Sequence, residues 1–182
     1  MESARTGAHL MVKIIFLFYL SVFFDTAHAD FSVGVSTNSW QELVPTLIQS
    51  VPTNVLTTFS SPGVSLGYQH KHSLRLYSLT TASYLAGSAD IHKQATVLTP
   101  RLKFTSYWLS NKLMRRSTKT FAIGPNLVIN NRTLENSSAT TSFGLFLDFD
   151  FDIFQNTQLT QSFGSMSDSK QLAYSFSLNR LF

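Results

Sequence analysis

Charged residues at alternating positions are the clearest chemical pattern in this chain. Asp148, Asp150 and Asp152 alternate with apolar residues in the segment FGLFLDFDFDI, and Arg101 and Lys103 stand two residues apart in an earlier segment. Successive side chains of a β-strand point to opposite faces, so each group places its charges on one face. The pattern predicts a cluster of paired charges. A Ca²⁺ site is the weaker interpretation, because alternate positions on one strand do not form a loop cage.

Two histidine-containing segments are the other candidates for chemistry. His70 and His72 could ligate a metal or pair with Ser73, although such residues are more often a polar turn. Asp90 and His92 could form a hydrolytic dyad with a loop serine. No set of nucleophile, base and orienting group is identifiable. We therefore expect no catalytic residues, no cofactor and no metal site.

The amino-terminal region has the layout of a secretory signal peptide. Lys13 precedes an apolar core over 14–24, and Ala27-His28-Ala29 resembles a small-residue cleavage site. We expect residues 1–29 to be removed, with Asp30 as the mature start and Met11 as an alternative initiator. The alternative is a buried helix, but no helical periodicity follows to pack against it.

Composition excludes several classes of protein. The 182 residues are 43% hydrophobic and 13% charged and include no cysteine, which argues against disorder, disulfide scaffolds and thiolate chemistry. The net charge of +4 comes from scattered cations, and export makes a nucleic-acid partner implausible. One tight basic cluster lies at 112–119. We interpret it as a solvated turn that can touch anionic lipid head groups.

Beyond Asp30 the dominant hydrophobic period is two, which is typical of β-strands. The best segment places Phe143 and Phe151 on one face and the three aspartates on the other. Pro100 and Pro125 interrupt two of the proposed strands, where each would remove a ladder donor. The eight proposed strands lie near 31–36, 64–69, 73–85, 98–108, 121–130, 143–153, 156–164 and 172–179. The turn-rich stretches lie at 38–62, 70–72, 86–94, 110–119, 131–140, 154–156 and 165–169.

The two strand faces differ in a way that favours a membrane barrel over a soluble sheet. The polar face carries mainly Gly, Ser, Thr and Asn, and the apolar face is rich in aromatic residues. Trp40, Tyr84 and Trp108 fall near strand ends, as expected of an aromatic girdle at the membrane interface. Leu102, Phe104 and Trp108 are then expected to face lipid. The five alternating charges above face a narrow lumen, which side chains should fill.

The signal peptide, the eight alternating segments and the final strand LAYSFSLNRLF together resemble the small bacterial outer-membrane β-barrels of the OmpX and OmpA-transmembrane type. The resemblance is architectural and covers 30–182. It implies an all-β, eight-stranded antiparallel up-and-down barrel in the outer membrane, with both termini in the periplasm. It also implies contact with outer-membrane lipid and lipopolysaccharide. Tyr174, Phe176 and Phe182 would form the signal read by the barrel-assembly machinery, although Arg180 departs from the usual hydrophobic residue.

Function is less constrained than architecture. We expect a structural role or surface binding, with an unknown extracellular partner contacted through the loops. The long segment 38–62 could be a binding loop or two strand extensions that project above the membrane. The alternatives are a lipid-modifying enzyme that uses Asp90 and His92, a narrow porin, and an exported soluble β-protein of lipocalin-like form.

Overall fold

Eight β-strands account for most of the described chain. The structure is a computed structural model that describes residues 29–48, 51–91, 102–135, 138–167, 169 and 172–182. Within those ranges no helix is long and apolar enough to cross a membrane. The predicted signal peptide lies outside the described residues except for Ala29. The strands are β1 Ala29–Ile48, β2 Val51–Lys71, β3 Leu76–Ile91, β4 Leu102–Arg116, β5 Phe121–Leu134, β6 Thr140–Phe154, β7 Thr157–Met166 and β8 Ala173–Leu181.

The strands form a closed antiparallel barrel in sequence order, which confirms the predicted fold class. The barrel closes through pairing of β1 with β8, from Ser32 opposite Leu181 to Ser39 opposite Tyr174. Closure satisfies backbone donors and acceptors between strands, as a membrane-spanning sheet requires. We call the end that carries Ala29 and Phe182 the terminus end, and the opposite end the loop end.

Short turns join the strands at the terminus end. Residues 72–75, 117–120 and 155–156 connect consecutive hairpins. Asn156 has a φ of 60°, and asparagine is one of the few residues other than glycine that adopts this left-handed conformation readily. These turns are two to four residues long, as expected of consecutive antiparallel strands in an up-and-down barrel.

The segment 38–62, for which two interpretations were open, consists of strand extensions. β1 and β2 pair continuously up to Ile48 opposite Val51. In the described residues β1 pairs with β8 only as far as Ser39, and β2 pairs with β3 only as far as Thr57. Among the described residues, the pairing of β1 with β2 therefore continues further toward the loop end than the pairing of either strand with its other neighbour.

The outer surface of the barrel is apolar, as the alternation predicted for most strands. Phe31, Val64 and Leu145 point outward and are 64%, 60% and 61% exposed, respectively. A soluble protein rarely leaves so continuous an apolar surface in water, so this surface is suited to lipid. Other outward-facing members are Val33, Val35, Leu66, Tyr107, Leu113, Leu127, Phe143, Leu147, Phe151, Ile153, Phe163, Tyr174 and Leu178.

Pro125 lies inside β5 and is accommodated without a break in register. It pairs with Leu147 of β6 and its side chain is exposed. On the β4 side, the ladder resumes in the same register after the positions of Gly124 and Pro125. A Cβ added at Gly124 would overlap the carbonyl oxygen of Leu113, so glycine permits the two backbones to approach here. Pro100 lies outside the described residues.

Three of the turn-rich stretches predicted from the sequence extend into strands. Residues 86–91 belong to β3, residues 110–116 belong to β4, and residues 131–134 belong to β5. The second error has consequences for the interior, because it placed Lys112 in a solvated turn.

Candidate functional site

A buried lysine organises the interior near the terminus end. Lys112 of β4 is 4% exposed, and its Nζ donates to both carboxylate oxygens of Asp150 at 2.6 and 2.8 Å and to Thr160 at 3.1 Å. The Tyr77 hydroxyl also donates to Oδ2 of Asp150 at 2.5 Å. We call Tyr77, Lys112, Asp148, Asp150 and Thr160 the lysine cluster. Strands β3, β4, β6 and β7 each contribute to it, so it ties the barrel wall together across its lumen.

Asp148 adds a second carboxylate to the same cation. Its Oδ2 lies 3.8 Å from the Lys112 Nζ and accepts a hydrogen bond of 3.0 Å from Asn126. Both aspartates are 1% exposed. Buried carboxylates are stable only when they are paired and hydrogen-bonded, and a single lysine supplies that pairing for both.

The charges nearest the terminus end form two further ion pairs. Arg116 pairs with Asp152 at 2.5 Å, and Gln158 donates to the same carboxylate at 3.2 Å. Lys71 pairs with Asp30 at 2.5 Å. The four charged side chains are partly exposed, whereas Gln158 and the charged side chains of the lysine cluster are buried.

The structure places three of the five predicted lumen charges on the inward face and one on the outward face. Asp148, Asp150 and Asp152 face the interior, but Lys103 is exposed on the outer face and Arg101 lies outside the described residues. Lys112, which was assigned to a solvated turn, supplies the interior cation instead. Lys103 was misplaced because the inward and outward faces of β4 were predicted the wrong way round.

A second buried ion pair lies toward the loop end. Glu42 and Arg132 are 1% and 3% exposed, and their Oε2 and Nη1 atoms are 2.8 Å apart. Glu42 Oε1 accepts hydrogen bonds from Trp40 at 2.8 Å, Ser142 at 3.2 Å and Asn130 at 3.4 Å. We call Glu42, Asn130, Arg132 and Ser142 the glutamate cluster. Sequence reasoning missed it because Glu42 was placed in a loop, although Asn130 and Arg132 share one face of β5.

Aromatic rings fill the lumen below the glutamate cluster. Trp40 stacks on Phe59 at 5.1 Å between ring centroids and meets Trp108 edge-on at 5.2 Å. Phe104 packs edge-on against Trp40 at 5.6 Å, and Phe146 lies 6.0 Å from Trp108. The Arg132 guanidinium lies 4.2 Å from the Phe59 ring centroid, which joins the aromatic layer to the glutamate cluster. We call these five rings the aromatic layer.

The aromatic layer corrects two predicted interface residues. Trp40 and Trp108 are 1% and 7% exposed and face the lumen, so neither belongs to a lipid-facing girdle. Phe104, also expected to face lipid, is 3% exposed and lies in the same layer. Tyr84 does point outward and lies 5.3 Å from Tyr107. Its position at the membrane interface stays a prediction.

A small polar chamber separates the aromatic layer from the lysine cluster. It has a volume of about 60 Å³, enough for a few waters, and Trp108, Phe146, Lys112 and Asp148 are among the residues that bound it. Its walls are otherwise mostly Ser, Thr and Asn side chains, such as Ser65 of β2. Tightly packed groups therefore lie on both sides of this chamber.

The histidine-containing segments do not assemble a reaction centre in the described residues. His72 Nε2 contacts the Ser78 hydroxyl at 3.0 Å, and the His70 and His72 rings pack 4.7 Å apart. In that part of the chain no three His, Asp or Glu side chains are grouped to hold a metal. His92 and the side chain of Asp90 lie outside the described residues.

Comparison with known proteins identifies the fold but does not assign the chain to a family. No family model and no curated protein sequence matches the chain. The crystal structure of Ail, the attachment invasion locus protein of Yersinia pestis, is similar at 13% identity with a TM-score of 0.54. The alignment covers 85% of this chain and 97% of Ail. This is the outer-membrane barrel fold.

A second determination of Ail, in a phospholipid bilayer nanodisc, is also similar, with a TM-score of 0.50 at 13% identity. The alignment covers 85% of this chain and 100% of the Ail chain. Ail has in addition been crystallised with the heparin analogue sucrose octasulfate. At this level of identity the likeness concerns the fold alone. The predicted architecture and membrane setting agree with it.

Proposed function

We propose that the protein is a non-conducting outer-membrane barrel that holds its β1–β2 hairpin outward for contact with surfaces outside the cell. The observation that carries this proposal is the way in which the base of the hairpin is fixed. Trp40, Glu42 and Val44 of β1 are all buried in the barrel mouth. Val55, Thr57 and Phe59 of β2 are buried beside them.

This anchoring would give the hairpin a defined direction. Glu42 is bound by three hydrogen bonds and by Arg132 of β5, so the base cannot pivot without breaking a buried network. Functional loops commonly project from rigid scaffolds in this way. The backbone of β1 continues from Val44 to Ile48 in pairing with β2, beyond the last contact with β8. We define residues 45–54 as the hairpin tip.

The composition of the tip suits contact with an apolar protein surface. Between Leu43 and Leu56 the chain has no charged residue and contains Val, Leu, Ile and Thr. Pro45 and Pro52 lie within this stretch, and proline at an open strand edge limits uncontrolled pairing with other strands. An uncharged tip with protected edges favours recognition through side chains.

The filled interior argues against a porin. The lysine cluster and the aromatic layer each place buried side chains across the lumen on either side of a chamber of about 60 Å³. An eight-stranded barrel has room for side chains but not for a wide channel as well. Ail, which shares the fold, is named the attachment invasion locus protein, and this name agrees with the proposed role.

Other proposed partners follow from the membrane setting. Tyr174, Phe176 and Phe182 remain the proposed signal for the barrel-assembly machinery. Phe182 is 68% exposed at the end of β8, and the Arg180 guanidinium lies 5.8 Å from its ring centroid. Lipid and lipopolysaccharide would surround the apolar exterior.

Shortening the hairpin tests the proposed function. We expect a variant in which an Asn-Gly turn joins Val44 to Val55 to fold normally, because the buried base is retained. Cells of a non-adherent Gram-negative host that display the wild-type protein should attach to an epithelial cell layer. The shortened variant should attach only as well as cells that carry the empty vector.

A second variant keeps the length of 45–54 but replaces its Leu, Ile and Val residues with Ser and Thr. It distinguishes the contribution of the apolar side chains from that of the length of the hairpin. It should lose attachment to the same extent if apolar side chains make the contact. Heat-modifiable migration in SDS gels verifies folding of each variant. Undiminished attachment by the shortened variant, or no attachment by the wild type, would overturn the proposal.

A further inference from the structure

The cations of the barrel are distributed unevenly between its two ends. At the terminus end the described residues include six cations, Lys71, Arg75, Arg115, Arg116, Lys119 and Arg180, but only two carboxylates, Asp30 and Asp152. The excess of four equals the formal net charge of +4 of the whole chain. The described side chains elsewhere include three cations, Lys103, Lys112 and Arg132, and four carboxylates, Glu42, Glu135, Asp148 and Asp150. Among the described side chains, the excess positive charge is therefore concentrated at the terminus end.

The two carboxylates at this end are paired with cations that face the barrel mouth. Asp30 is paired with Lys71 and Asp152 with Arg116, each at 2.5 Å. The other four cations are exposed, and we call Arg75, Arg115, Lys119 and Arg180 the terminal collar. Arg75 and Lys119 belong to the turns, whereas Arg115 and Arg180 point outward from β4 and β8. The collar therefore lies on the outside of the barrel, at the β2–β3 and β4–β5 hairpins and at β8.

Exposed apolar side chains adjoin three of these cations. Leu74, 97% exposed, precedes Arg75 in the turn, and Leu113, 46% exposed, precedes Arg115 on the outer face of β4. Phe182, 68% exposed, lies against Arg180. A soluble anionic polymer would bind the cations but would make no contact with the apolar side chains beside them. A lipid offers both chemistries at once, since its phosphate lies directly above its acyl chains.

We propose that the terminal collar binds the phosphate head groups of anionic phospholipids in the leaflet at the terminus end of the barrel. The outward arginines lie where the apolar belt ends, so their aliphatic stems can follow acyl chains while the guanidinium groups reach the phosphates. Guanidinium groups suit phosphate because they present paired donors in one plane. The collar would set the depth of the barrel in the membrane and enrich anionic lipid around it.

Lipid selectivity measured in mixed membranes tests this proposal. The full mature chain would be folded into phosphatidylcholine vesicles that contain spin-labelled phosphatidylglycerol or spin-labelled phosphatidylcholine. Electron paramagnetic resonance then gives the relative association of each lipid with the barrel surface. We expect phosphatidylglycerol to be preferred about fivefold at a site that faces one cation, with the preference falling as salt is raised.

The quadruple variant R75Q/R115Q/K119Q/R180Q should associate equally with both lipids. The matched control is Lys103→Gln, which removes an exposed cation of β4 at the loop end and should leave the preference unchanged. Folding of each protein is verified by heat-modifiable migration in SDS gels.

Three outcomes would overturn the proposal. The first is equal association of both lipids with the wild type. The second is an undiminished preference in the quadruple variant. The third is loss of the preference when inorganic phosphate replaces chloride at constant ionic strength, because that result would assign the collar to a free anion instead of a lipid.

Discussion

Replacing Lys112 with methionine is expected to produce the largest loss of stability of any single substitution in the barrel interior. Methionine keeps much of the side-chain volume but leaves Asp148 and Asp150 buried without their shared cation. Removing one partner of a buried ion pair typically costs about 3–5 kcal/mol. We therefore expect the urea midpoint of unfolding in detergent micelles to fall by an amount of this order. The folded band in unheated SDS gels should also be lost at a lower temperature.

The matched control for this substitution lies on the same strand. Lys103→Met removes an exposed lysine from β4 and should change the unfolding free energy by less than about 0.5 kcal/mol. The triple variant K112M/D148N/D150N removes the stranded carboxylates and should recover part of the lost stability. If Lys112→Met and Lys103→Met have equal effects, the interior ion cluster does not hold the barrel together.

Replacing Glu42 with leucine is the second substitution with a large expected effect. It removes the acceptor for Trp40, Asn130 and Ser142 as well as the partner of Arg132. We expect a loss of about 3–5 kcal/mol in the unfolding free energy, because a buried guanidinium is left beside unsatisfied donors. The hairpin base should loosen at the same time, which limited proteolysis between residues 45 and 54 would detect.

A double-mutant cycle isolates this ion pair from the rest of the network. The variants are Glu42→Leu, Arg132→Leu and the combination of the two, and their unfolding free energies should differ from additivity by at least about 1 kcal/mol. Glu135→Gln serves as the control, because Glu135 is an exposed carboxylate after the end of β5. Strict additivity of the two single substitutions would contradict the proposed coupling of the hairpin base to the barrel wall.

The period of two was enough to predict the fold class, because a lipid-facing surface and a polar lumen produce alternation on nearly every strand. β6 is the clearest example. Phe143, Leu145 and Phe151 lie outside, and Asp148 and Asp150 lie inside, as the sequence indicated. Strand pairing follows from sequence order in an up-and-down barrel, so little more was needed for the topology.

The phase of β4 could not be predicted from the rule that apolar residues face lipid. Phe104 and Trp108 point inward, whereas Tyr107 on the opposite face is 60% exposed. Both faces of this strand carry large aromatic residues, since the lumen near the loop end is itself filled with rings. The exposed Lys103 lies near the end of the strand. The predicted end of this strand at residue 108 then placed Lys112 in a turn, although it shares the inward face with Trp108.

The glutamate cluster was missed for a related reason. In the sequence, Glu42 and Asn130 are 88 positions apart. Only the closed register brings β1 and β5 to opposite sides of the same lumen. The sequence did contain one usable signal, since Asn126, Val128, Asn130 and Arg132 all fall on one face of β5 and the last of them is charged.

Single-channel recording on the folded mature protein in planar phospholipid bilayers tests the central claim, a filled and non-conducting interior, most directly. We expect no resolvable conductance in symmetrical potassium chloride, because the lysine cluster and the aromatic layer both occlude the lumen. Insertion would be verified independently by protease protection of reconstituted vesicles. A steady, reproducible conductance that scales with the number of inserted barrels would contradict this account.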